Sequence, residues 1–205
     1  MGRTRDAEHS RHLAGFHRFP ALATLHSEIA SNRAICDTLS DYYEGRAYYA
    51  IGLSDITVNR SQQWHTDLLR GKYSEFLKDG SPWVETRGSC IKALVYLQAG
   101  NSLRVLPRFH LSPTPLDDPM LDSIARTEDV TELKVEAGDV VMMDIRTIHR
   151  GATEEEMSEP KLAHSPKILV STVFGLITSA FTQAMQLGNA QRMVDWDRRY
   201  LSKTP

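Results

Sequence analysis

The sequence predicts a mainly β fold, two sheets closed on one another with helices outside, and three observations predict it. Short segments with period-two apolar patterning recur between turn signals from Ala47 onward. Helical spacing is concentrated at the two ends, from Ala21 to Tyr43 and from Phe181 to Leu201. Chemistry-bearing residues on an early segment (His65, Asp67) and a late one (His149) can meet only if distant strands are neighbours in space. A double-stranded β-helix, or jelly roll, satisfies all three.

A chain of 205 residues is long enough to bury one proper core, so a single domain with N- and C-terminal helices is expected over 21–205. Residues 1–20 are rich in Arg and His and are expected to form a flexible arm. The formal net charge of −2 gives no sign of a nucleic-acid binder. No apolar run is long enough to span a bilayer, and the first twenty residues lack the apolar core of a secretory signal. Cys36 and Cys90 have no metal-knuckle or disulfide-framework spacing and read as reduced thiols. A cytoplasmic protein acting on a small molecule, with neither nucleic acid nor membrane as partner, is the expectation; the oligomeric state is not legible.

Leu22, Leu25, Ile29, Ile35 and Leu39 recur at helical spacing, with Ser31-Asn32 a candidate break between two helices. Tyr48, Tyr49, Ile51, Ile56, Thr57 and Val58 favour a strand over Ala47 to Val58, and a turn near Arg60-Ser61 leads into a strand through His65. Leu68 to Pro82 reads as a loop on the pocket rim. Cys90 to Gln98 is the clearest strand, with Lys92, Leu94 and Tyr96 on one face, possible cavity wall, and Ile91, Ala93 and Val95 on the other. A turn at Ala99-Gly100-Asn101 returns a strand ending at Leu106. Leu111 to Thr131, with three prolines, has the length of a functional lid. Leu133 to Val135 is a short strand, and Glu136 to Asp139 turns into a long one reaching His149. Glu154-Glu155-Glu156 reads as a solvated loop, and Lys167 to Phe174 as the last strand.

Gln62-Gln63-Trp64-His65-Thr66-Asp67 carries the chemistry. In an extended strand His65 and Asp67 project to one side, an imidazole and a carboxylate two residues apart. Counting back from His149, Thr147, Ile145, Met143 and Val141 share its face and are nearly apolar, which puts His149 inside the barrel. Two histidines and one carboxylate on one face of an octahedron leave three positions open, the pattern of non-haem Fe(II) oxygenases. An exposed hydrogen-bonded His-Asp pair is the bland alternative. His110 reads as a turn residue and His164 as a solvated loop residue. Gln63, on the His65 face, is either a donor to a bound cosubstrate or an ordinary interior polar residue.

Three segments resemble the phytanoyl-CoA dioxygenase-like family of Fe(II)/2-oxoglutarate oxygenases: Trp64 to Asp67, Ile91 to His110, and Gly138 to Gly151. The resemblance implies a jelly-roll dioxygenase with His65, Asp67 and His149 as iron ligands, and with Fe(II), 2-oxoglutarate and O2 as cofactor and cosubstrates. The implied activity is hydroxylation of a small metabolite or natural-product intermediate, with decarboxylation of 2-oxoglutarate to succinate. Asp67 fills the position that related halogenases leave open for chloride. Two departures stand out. Arg108-Phe109 occupies the family's Gly-Ser turn, and an acidic insertion follows His149 where the family has an arginine for the far carboxylate of 2-oxoglutarate. Aligned back from Phe174, that position falls on Lys167. Strand parity turns Arg146 and Arg150 away, and Lys161 lies too far before the strand. A Zn(II) hydrolase using the same three ligands, or a non-catalytic binding domain, remains the alternative.

Overall fold

The computed structural model describes residues 10–67, 75–77, 89–111, 123, 129–157 and 165–201. Two sheets form the fold. The larger is built from β1 (Arg11–Ala14), β2 (Tyr48–Val58), β3 (Ile91–Tyr96), β6 (Val140–Asp144) and β8 (Ile168–Leu176), in the order β1-β2-β8-β3-β6. The smaller is β5 (Thr131–Val135), β4 (Gly100–Leu106) and β7 (Ile148–Arg150), in the order β5-β4-β7. Every strand pair is antiparallel. Leu94, Tyr96 and Met143 of the larger sheet meet Leu103 and Val135 of the smaller in one buried cluster. The two sheets thus share a buried core between them, as expected of a jelly roll.

Helices cover what the smaller sheet does not. α1 (Pro20–Ala30) starts on Pro20, whose fixed φ suits a first helical turn. α2 (Arg33–Tyr42) is capped by Asn32, which accepts a hydrogen bond from the Ile35 N–H at 3.3 Å, so the break at Ser31-Asn32 lies where the sequence suggests. Ile29, Ile35, Leu39 and Tyr43 pack on the outer face of the larger sheet against Ile91, Ala93, Val170 and Phe174. α4 (Ala180–Tyr200), capped by Ser179, packs Phe181 and Met185 on Ile51, Leu53 and Val173. β2 bends at a register shift between Ala50 and Ser54, where Gly52 has φ 79°, a conformation that favours glycine.

Four differences from the sequence expectation have physical causes. The arm expected over residues 1–20 is joined to the sheet from its described part onward: Arg11 to Ala14 pair with Val58 to Asp55, and Phe16 is wholly buried. The single strand expected to reach His149 is two strands, because Ile145 to Thr147 turn the chain from one sheet to the other. The segment through His65 is not a regular strand; its backbone forms isolated bridges, Ser61–Ala152 and His65–His149. Glu154–Met157, expected as a loop, is a short helix, α3. Thr153 starts it: its hydroxyl accepts from the Glu156 N–H, while its own N–H donates to the Glu156 carboxylate, a capping box. The loop 112–128, apart from Ser123, most of 68–82, Lys161 and His164 lie outside the described residues.

Candidate metal centre

Side-chain alternation on both sides of a two-residue bridge builds the centre. His65 and His149 exchange backbone hydrogen bonds, His65 N–H to His149 C=O at 2.9 Å and the reverse at 3.0 Å. Their neighbours Trp64 and Ile148 point the other way and are buried with Leu106. That apolar anchor fixes the segment on the outside while the imidazoles face inward, with ring centroids 4.3 Å apart. The Gln62 N–H adds a bond to the Ala152 carbonyl at 3.0 Å. Asp144 holds the turn that precedes His149, accepting from the Arg146 N–H and Nε at 2.9 Å each, Arg146 Nη2 at 2.6 Å and Ser89 Oγ at 2.7 Å.

The three predicted ligands converge. One donor atom from each of His65, Asp67 and His149 lies within 4.8 Å of the others. His65 Nε2 is 3.6 Å from Asp67 Oδ1, and His149 Nε2 is 3.9 Å from Asp67 Oδ2. Both imidazoles are tied back in the same way: Nδ1 of His65 meets the Gln63 carbonyl at 2.7 Å, and Nδ1 of His149 meets the Thr147 carbonyl at 2.9 Å. Since a carbonyl only accepts, each Nδ1 carries the proton and each Nε2 turns its lone pair toward Asp67. This donor set fits a divalent metal ion: two neutral imidazole nitrogens and a carboxylate on one side, with a cleft opposite.

The electrostatics agree. Burial pushes the His149 imidazole down to about 3, helped by the neighbouring His65 and opposed by Asp67, so the ring is neutral at physiological pH. Burial by itself would raise the Asp67 carboxyl, but the Lys92 ammonium and the two imidazoles outweigh it and hold Asp67 well below the ordinary range. Lys92 Nζ donates to Asp67 Oδ2 at 2.6 Å.

A cleft of about 1380 Å³ opens from the three residues and runs between the sheets toward the end of α4. Lys92, Leu94 and Tyr96 line it, as the alternation along β3 suggests. Lys167 and Gln63 also line it. The Gln63 side chain is exposed, and its contact with the centre is the backbone carbonyl under His65. Lys167 begins the approach to β8, its N–H bonded to Asn59 Oδ1 at 2.8 Å. Arg146 is engaged by Asp144, and the Arg150 guanidinium lies 5.6 Å from the Trp64 ring centroid, on the far side of the small sheet from His149. The Lys92–Asp67 pair is the contact that sequence reasoning missed. Its only trace there is a lysine on an otherwise apolar inner face.

No family profile matches the sequence, and no curated protein does. Solved structures do match. The crystal structure of EctD from S. alaskensis with 2-oxoglutarate and 5-hydroxyectoine superposes with TM-score 0.59 at 17% identity, over 82% of this chain and 57% of that one. SnoN, the non-haem α-ketoglutarate-dependent epimerase from nogalamycin biosynthesis, gives 0.56 at 16%, over 85% and 65%. HygX from Streptomyces hygroscopicus with nickel and 2-oxoglutarate bound gives 0.56 at 14%, over 87% and 72%. The chain thus spans less than two thirds of the length of EctD and SnoN. At these identities the likeness is one of fold, and the fold of this chain is the double-stranded β-helix that such 2-oxoglutarate-dependent enzymes carry.

Proposed function

We propose that this chain is a non-haem Fe(II)/2-oxoglutarate-dependent oxygenase of the phytanoyl-CoA dioxygenase-like type, hydroxylating a C–H bond of a small metabolite or natural-product intermediate. One observation carries the proposal: the Nε2 lone pairs of His65 and His149 and the carboxylate of Asp67 converge on one point at the head of a large cleft. The matched structures that bear 2-oxoglutarate support it, as does the sequence resemblance.

His65, Asp67 and His149 would hold the ion, leaving three positions of an octahedron for ligands from the cleft. When bound there, iron with 2-oxoglutarate and O2 supplies the oxidising equivalent, while the diacid is decarboxylated to succinate. The protein's part is placement and exclusion of water. The backbone carbonyls of Gln63 and Thr147 keep both rings in the ligating tautomer, and the Trp64 anchor fixes their separation. Leu94 and Tyr96 make the inner wall partly apolar, which keeps water from the reacting substrate. Asp67 occupies the position a halide would need, so oxygenation is the expected outcome. The far carboxylate of 2-oxoglutarate needs a fixed cation; Lys92 and Lys167 stand on the cleft wall, which Arg60, Arg192 and Arg199 also line.

The test is succinate formation from 2-oxoglutarate by Fe(II)-loaded protein, screened for stimulation by candidate substrates with chloride present. Fe(II)-dependent succinate and hydroxylated, unhalogenated product are expected. Turnover supported by Zn(II) alone, or a halogenated product, contradicts the proposal.

A further inference from the structure

We propose that Lys92 is the cation that receives the far carboxylate of the diacid cosubstrate while it holds Asp67 as a ligand. The inference rests on the iron and 2-oxoglutarate assignment above. Lys92 stands on β3 opposite Met143 of β6 and Val173 of β8, with Leu94 next along the same face. Its side chain is only 11% exposed. An ammonium among apolar neighbours is costly unless it is paired, so a lysine here has a specific task.

Its observed partner defines half of that task. Nζ binds Oδ2 of Asp67 at 2.6 Å, while Oδ1 faces the His65 Nε2 at 3.6 Å. Oδ2 also lies 3.9 Å from the His149 Nε2, so the hydrogen bond from Lys92 fixes the carboxylate between the two imidazoles. Asp67 engages one of the ammonium's three N–H donors; the remaining donors can meet a ligand carboxylate. Charge gives the other half. Two neutral imidazoles, one carboxylate and one ammonium sum to zero, so a divalent ion brings the site to +2, matched by a dianion such as 2-oxoglutarate. Without Lys92 the same site would carry +1 and favour a monoanion.

The alternatives are placed less well. Lys167 lies six residues before Val173, the cross-strand partner of Lys92, which at about 3.3 Å per residue is roughly 20 Å of strand. Arg146 is bound by Asp144, Arg150 stacks near Trp64, and Arg192, also on the cleft wall, is held by the Asp55 carboxylate at 2.8 Å. Among the described residues, Lys92 is the Lys or Arg in contact with the His65–Asp67–His149 group. A lysine on β3 thereby takes over what an arginine entering the last strand does in the resembling family.

The test is calorimetric binding under anaerobic conditions to Mn(II)-loaded protein, comparing 2-oxoglutarate with 2-oxobutanoate, which chelates alike but lacks the far carboxylate. Lys92→Met should weaken 2-oxoglutarate by roughly tenfold to a hundredfold, the loss of one charge-assisted hydrogen bond. It should leave 2-oxobutanoate nearly unchanged, and Lys92→Arg should restore most of the 2-oxoglutarate affinity. Equal weakening of both ligands in Lys92→Met would show a clamp on Asp67 alone and overturn the assignment. So would a loss in Lys167→Met with none in Lys92→Met. If the wild-type Mn(II) protein binds neither 2-oxo acid, the cosubstrate assignment itself fails, a result separable from the others because no variant is needed to see it.

Discussion

Replacing Asp144 by alanine tests how the chain delivers His149. Asp144 and Arg146 form an ion pair at 2.6 Å, with side chains only 10% and 3% exposed. The same carboxylate accepts from the Arg146 N–H, from Ser89 Oγ and, at 3.4 Å, from Tyr42 OH. It therefore closes the turn that carries the chain from β6 to β7 and ties it to β3 and α2. Removing one partner of a buried pair costs about 3–5 kcal/mol, because the other charge is left in a poorly solvating place. For a chain of this size each kcal/mol is worth about 2–4 °C, so Asp144→Ala should lower the Tm by roughly 6–20 °C. Urea unfolding and a thermal scan measure this directly. The double variant Asp144→Leu/Arg146→Met, which removes both charges, should recover part of the loss. A loss below about 1 kcal/mol in Asp144→Ala would refute the idea that this pair holds the turn.

Three further predictions come from elsewhere in the fold. Burial would raise the Asp55 carboxyl, but the His12 imidazole 3.3 Å away and the Arg192 guanidinium at 2.8 Å hold it well below its ordinary 3.8. A depressed carboxyl stabilises the fold above the unfolded-state value and ceases to do so as pH falls. Asp55→Asn should therefore be less stable than wild type at pH 7, with the gap narrowing below about pH 4 in urea melts; a pH-independent gap would contradict this. Burial pushes the Cys90 thiol up to about 12, so alkylation of the native protein at pH 8 should spare Cys90 until the chain is unfolded, as peptide mapping will show. A Cβ on Gly175 would lie 2.6 Å from the wholly buried Thr182 side chain and 3.0 Å from Cys90 Sγ, so Gly175→Ala should cost on the order of 1–3 kcal/mol in urea unfolding. Unchanged stability there would mean that α4 can shift off β8.

Much of the centre was legible because it depends on short-range geometry. His65, Asp67 and His149 were identifiable from residue type and spacing, and the alternation of Lys92, Leu94 and Tyr96 along β3 placed them on the cleft wall. His149 faces inward for a reason other than strand parity. The alternation is interrupted at Ile145 to Thr147, where the chain turns between sheets, and the inward direction of His149 comes from its bridge to His65. Period-two patterning cannot show such a crossing, since Ile145 and Ile148 are buried on either side of it. Strand β1 was missed for a related reason: Arg11-His12-Leu13-Ala14 has no apolar alternation, and its place at the sheet edge is fixed by pairing with β2 and by the buried Phe16 that follows. The Lys92–Asp67 contact joins residues 25 apart in the chain and depends on how segment 61–67 leaves the smaller sheet, which no local pattern encodes.

Anaerobic Fe(II) titration of the wild-type protein and of His149→Ala, followed by equilibrium dialysis and metal analysis, tests the three-ligand centre most directly. One tightly held iron per chain is expected in the wild type. Outer-shell changes around metal ligands alone cost roughly 10–100-fold in affinity, so loss of a ligand should cost about a hundredfold or more. Equal iron binding by His149→Ala and wild type would contradict the assignment of His65, Asp67 and His149 as the metal site.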